Sequence, residues 1–114
     1  MSNVRRRKHI PSGIMGRQLT PFEKELYQRA DEVLHYVWDP IGISGTPQAR
    51  DEYDSYLAQV FGILVESKSK DAISSYLVKV EEERMGLTPS TEQAMRVQEL
   101  LLDWLEVLRR KYEQ

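Results

Sequence analysis

Ala49-Arg50-Asp51-Glu52-Tyr53-Asp54-Ser55-Tyr56-Leu57-Ala58-Gln59-Val60-Phe61-Gly62-Ile63-Leu64-Val65-Glu66 is the stretch on which the fold turns. Within it Ala49, Tyr53, Tyr56, Leu57, Val60, Phe61 and Leu64 recur at steps of 4, 3, 1, 3, 1 and 3. That rhythm is close to a heptad and puts the apolar side chains on one helical face, where a strand would need alternation by two. Thr46-Pro47 supplies a start, a hydroxyl that can cap followed by a proline at the first helical position. The spacing predicts a helix over 47–66, the central and most buried one of the chain.

Working outward, Thr20-Pro21-Phe22-Glu23 has the same capping pattern with a glutamate three residues after the cap, the signature of a capping box. Phe22, Leu26, Ala30, Val33, Leu34 and Val37 then form one stripe. Pro40 disfavours helical backbone at Asp39, so this helix is expected over 21–38. Pro40, Gly42, Gly45 and Pro47 make 39–46 a loop. Beyond a polar break at Ser67-Lys68-Ser69-Lys70, Ile73, Tyr76, Leu77 and Val80 mark a third helix, 70–85, with the thinnest stripe and an expected place at the edge. It ends at Met85-Gly86-Leu87, a glycine stop with an apolar residue beyond it. Thr88-Pro89 or Ser90, with Gln93, opens a fourth helix over 90–112, carried by Ala94, Val97, Leu101, Trp104, Leu105 and Leu108. No segment sustains two-residue alternation. The expected fold is all-α: a compact four-helix bundle-like single domain over 20–114, its short connections favouring antiparallel neighbours, preceded by a basic flexible tail at 1–19.

With 114 residues, 40% hydrophobic and 30% charged, the chain suits one apolar core and lies far from disordered or membrane compositions. No run approaches the roughly 18 consecutive apolar residues that span a bilayer, and Arg5-Arg6-Arg7-Lys8 is not followed by the apolar segment of a secretory signal. A cytoplasmic protein is expected. The absence of cysteine removes disulfides, thiolate metal sites and thiol nucleophiles together. Net charge is −2 but uneven: residues 1–18 hold five basic groups and no acid, whereas 19–66 hold nine acids against three bases. The tail offers only weak, backbone-directed contact with nucleic acid, since no aromatics are interleaved for base stacking.

Trp38-Asp39-Pro40-Ile41-Gly42 and the start of the second helix concentrate acidic, aromatic and turn-forming residues. On a helix Asp51, Asp54 and Ser55 fall at i, i+3 and i+4, with Glu52 beside them and Asp39 approaching from the loop. Trp38, Asp39, Asp51, Glu52, Asp54 and Ser55 are therefore the candidate partner-binding residues. The plainer reading is helix-stabilising charge near a helix start, with Arg50 pairing Asp54 at i+4. Tyr53 and Tyr56 are expected in the core with hydroxyls at the rim, and Trp38 partly exposed as an anchor. His35 and Asp39 stand four apart, a ligand spacing weakened by Pro40. Glu81-Glu82-Glu83-Arg84 reads as a solvated face without chemistry. No catalytic residue, metal ligand or cofactor is assigned.

Tyr36-Val37-Trp38-Asp39-Pro40-Ile41-Gly42, Arg50-Asp51-Glu52-Tyr53-Asp54-Ser55-Tyr56 and Glu82-Glu83-Arg84-Met85-Gly86-Leu87 together resemble a family of small bacterial proteins of undetermined function, some of them similar to the immunity partners of toxins. The resemblance covers about residues 22–108. It departs at Ala58, where many relatives have proline, and it implies an uninterrupted second helix here but no activity. Three readings follow. The first is a small non-enzymatic binding protein, immunity-like, presenting an acidic corner to a basic protein surface. The second is a small-ligand or divalent-metal-dependent protein with a pocket between the 38–46 loop and the second helix. The third is self-association through the third or fourth helix.

Overall fold

The computed structural model describes residues 18–43, 45–66 and 71–113. Nearly all of the expected tail, and the polar break at 67–70, lie outside the described residues. The rest is all-α. Helix α1 (Pro21–Val33) continues through a π turn (Leu34–Trp38), and a short 3₁₀ turn (Pro47–Ala49) leads to α2 (Asp54–Glu66). Helix α3 (Ala72–Lys79) continues through a second π turn (Val80–Arg84), and α4 (Thr91–Tyr112) follows.

Most of the punctuation read from the sequence works as expected, but Thr46 makes no side-chain cap and Pro47 opens only a 3₁₀ turn. Thr20 Oγ1 accepts from the Glu23 amide at 3.1 Å while Glu23 Oε1 accepts from the Thr20 amide at 2.9 Å, a reciprocal capping box. Ser90 Oγ accepts from the Gln93 amide at 3.2 Å, which makes Ser90 the cap of α4. Gly86 takes the left-handed conformation at φ +66°, and the Leu87 amide returns to the Glu81 carbonyl at 2.8 Å. The helix end is closed one residue wider than usual because the last turn is π.

Contacts fix the directions. Gln93 at the start of α4 donates to the Val37 carbonyl at the end of α1, and Lys111 at the end of α4 donates to Glu25 near the start of α1 at 2.9 Å. These two helices are antiparallel. Ser74 and Gln98, then Glu81 and Ser90, make α3 antiparallel to α4, and Tyr27–Phe61 with Trp38–Tyr53 does the same for α1 and α2. The bundle runs up, down, up, down. Consequently one end of it gathers the π turns of α1 and α3, the 3₁₀ turn and the start of α4.

One core joins Leu26, Ala30 and Leu34 to Leu57, Phe61, Leu77, Val97 and Leu101, all at or below 1% exposure. Its hub differs from expectation. Helix α4 packs most extensively, on α1 and α3, whereas the second helix shares the core without dominating it. The second helix also begins later than the spacing predicts. From Pro47 to Asp54 the chain is held by successive i→i−3 bonds, Ala49 to Thr46, Arg50 to Pro47, Glu52 to Ala49 and Asp54 to Asp51. From this segment Arg50 reaches Asp31 of α1 and Tyr53 reaches Asp39 of the loop that follows it.

Candidate functional site

The loop after α1 is built around Asp39. Its backbone is left-handed at φ 31°, which a short polar side chain tolerates better than other non-glycine residues. The side chain supplies the compensation. Asp39 Oδ1 accepts from the Ile43 amide at 2.7 Å and from the Tyr53 hydroxyl at 2.9 Å. The same hydroxyl accepts from the Ile41 amide at 3.2 Å. One phenol thus stitches the loop to the turn that precedes α2. Tyr53 is 3% exposed, and burial raises its pKa well above the ordinary phenol range, with Asp39 pushing the same way. Tyr53→Phe is expected to lower stability by about 1–2 kcal/mol, read as a shifted urea midpoint, because Asp39 and Ile41 each lose a partner.

Trp38 is not exposed. Its indole is 3% exposed, lies edge-on to Tyr56 at 6.0 Å and donates through Nε1 to Glu81 Oε2 at 2.6 Å. Nor is Glu81 solvated. It is 4% exposed, and its other oxygen accepts from the Ser90 amide at 3.1 Å. A single carboxyl group therefore ties the end of α1, the end of α3 and the start of α4 together. Trp38 cannot be the anchor expected of it, because an indole sealed into this tie has no face left for a partner.

The other candidate residues separate. Asp51 and Glu52 are exposed in the turn before α2, and Asp54 is half-buried at its first position, where its charge bears on Tyr27 and Arg50. Ser55 is exposed too but lines a recess between α2 and α3. Arg50 does not pair with Asp54 as expected: it grips Asp31 of α1 in a bidentate fork, at 3.1 and 2.9 Å. The cause is the 3₁₀ winding, which turns Arg50 away from α2. Tyr56 is half-buried as its position on the stripe suggests. His35 is 2% exposed, against Tyr36 and Tyr53, with its Nδ1 unpartnered.

Besides Asp51, Glu52 and Ser55, two residues outside the expected set face solvent at this corner. Tyr36, 57% exposed, carries the Arg50 guanidinium over its ring at 5.4 Å, and Ile41, 46% exposed, sits on the Asp39–Tyr53 stitch. A recess of about 590 Å³ lies alongside, bordered by Tyr27, Asp31, Glu32 and Arg50. Neither it nor the α2–α3 recess is lined by the loop at 39–46. Among the described residues no three His, Cys, Asp or Glu side chains gather closely enough to hold a metal ion, and no helix is long and apolar enough to cross a membrane. Compared with known protein families, curated proteins and solved structures, the chain matches none.

Proposed function

We propose that the protein is a small non-enzymatic binding protein of the immunity type, whose corner at 36–52 docks on a basic protein surface and occludes it. The observation that supports this reading is the pairing of exposed apolar with exposed acidic groups on a rigid support. Tyr36 and Ile41 present apolar surface, Asp51 and Glu52 carry negative charge in solvent, and the stitch through Tyr53 holds their backbones in place. Interfaces use such aromatic and aliphatic anchors within a charged rim that steers the partner. The carboxyl groups of Asp39 and Glu81 are taken up in holding the fold, which weakens a reading based on acid–base chemistry. The resemblance to immunity partners of toxins points in the same direction.

The test is a pull-down with wild type and Asp51→Lys/Glu52→Lys side by side, both substitutions being on exposed side chains that make none of the stitch's hydrogen bonds. Wild type is expected to recover a basic protein in a salt-sensitive manner, and the variant to lose it. Equal recovery by both, or no specific recovery by wild type, overturns the reading.

A further inference from the structure

Between α2 and α3 lies a recess of about 630 Å³, open to solvent, with Tyr56 and Gln59 on one wall and Tyr76, Lys79, Glu83 and Arg84 on the other. Its chemistry is opposite to that of the acidic corner. Tyr56 and Tyr76 are half-buried, Lys79 and Arg84 are exposed, and among the described residues neither cation makes an ion pair.

The π turn is what brings the two cations together. In an α-helix, residues five apart are rotated about 140° from one another at 3.6 residues per turn. Wound with i→i+5 bonds, the wider turn cuts that offset and brings the two toward one face. Lys79 and Arg84 are five apart, and the turn between them, Val80–Arg84, is π, closed by the Met85 amide on the Val80 carbonyl at 3.1 Å. Arg84 is thereby turned back to the recess that Lys79 also lines. Its charge reaches the Tyr76 phenol, opposing the upward pKa shift that burial imposes there. The winding is locked from behind, since Glu81 inside the same turn is held by Trp38 and Ser90. Glu83, the lone carboxylate of the lining, follows Lys79 by four residues, the less favourable order for a helical ion pair, and makes none.

We propose that this recess binds a small anion, a carboxylate or phosphate group on an aromatic or apolar body, with Lys79 and Arg84 holding the charge and Tyr56 and Tyr76 flanking the body. The phenol hydroxyls and the Gln59 amide add neutral donors to the two cations, and charge-assisted bonds of this kind are stronger than neutral ones. Tyrosine rings supply the apolar contact that a bare ion would not use.

Phenyl phosphate, benzoate and inorganic phosphate are the probes. Trp38 lies against Tyr56, so tryptophan fluorescence reports occupancy, and amide chemical shifts at Tyr56, Tyr76, Lys79 and Arg84 locate it. Saturable responses are expected from phenyl phosphate, benzoate or both at millimolar concentration, and weaker ones from inorganic phosphate; whichever aromatic probe binds better identifies the head group. Lys79→Gln/Arg84→Gln, at exposed positions, should keep the thermal midpoint and weaken binding about tenfold or more. Absence of a saturable response to both aromatic probes overturns the proposal, and so does undiminished affinity in the double variant.

Discussion

Glu81→Ala is expected to destabilise the protein by about 2–4 kcal/mol, since a buried donor left without its acceptor costs about 1–3 kcal/mol. Two donors lose their acceptor in that change. The Trp38 indole N–H, 2.6 Å from the carboxyl group, is enclosed by Tyr53 and Tyr56 and has no route to water. The Ser90 amide, at 3.1 Å, is one of the unpaired donors at the start of α4. The next two side chains of the same acidic run provide the contrast: Glu82 and Glu83 are exposed, and alanine at either should stay within about 0.5 kcal/mol of wild type. Urea unfolding of the three variants checks this. Equal midpoints for Glu81→Ala and Glu82→Ala would mean that the tie contributes nothing. A cycle with Trp38→Phe and Glu81→Gln should show a coupling of about 1–3 kcal/mol, since the two groups share one bond.

The helices were legible because their signals are local. Thr20, Pro21 and Glu23 announce a cap, Gly86 a stop, and the apolar stripes recur at helical spacing. The tie between π turns was partly legible. Glu81 stands eight residues after Ile73 and four after Leu77, and so on the buried stripe of the third helix, but its company of Glu82, Glu83 and Arg84 favoured a solvated reading. Trp38 likewise lies four after Leu34. Periodicity outweighed residue type at both positions because each polar atom found a buried partner, a pairing across 43 residues that no local pattern reveals. The π turns themselves, and the 3₁₀ winding that sends Arg50 to Asp31 and not to Asp54, depend on tertiary contacts. Helical spacing therefore groups Ser55 with Asp51 and Asp54 on one face, while the observed backbone turns Ser55 toward the α2–α3 recess. Tyr36 and Ile41 look like ordinary helix-end and loop residues until burial of Trp38 leaves them as the apolar surface of the corner.

Stability is expected to fall steeply in alkali, beginning near pH 10 and continuing to about pH 12, the interval between the ordinary phenol pKa and that of Tyr27 in the fold. Tyr27 is 6% exposed and packs edge-on against Phe61 at 5.1 Å. Burial raises its pKa to about 12, with the charges of Asp54 and Asp31 adding to the effect. Tyr53 is raised by burial as well, and Tyr76 also, with Arg84 opposing. The sign follows from proton binding. Above pH 10 the unfolded chain loses protons that the folded chain retains, so the stabilisation is complete below pH 10 and is lost as pH climbs toward the folded values. Each phenol contributes a slope of at most about 1.4 kcal/mol per pH unit, with half-exposed Tyr76 giving less because solvent screens it. Urea midpoints measured across this interval should drop, and Tyr27→Phe should drop less steeply. A parallel course for the variant would show that the Tyr27 phenol carries none of the dependence.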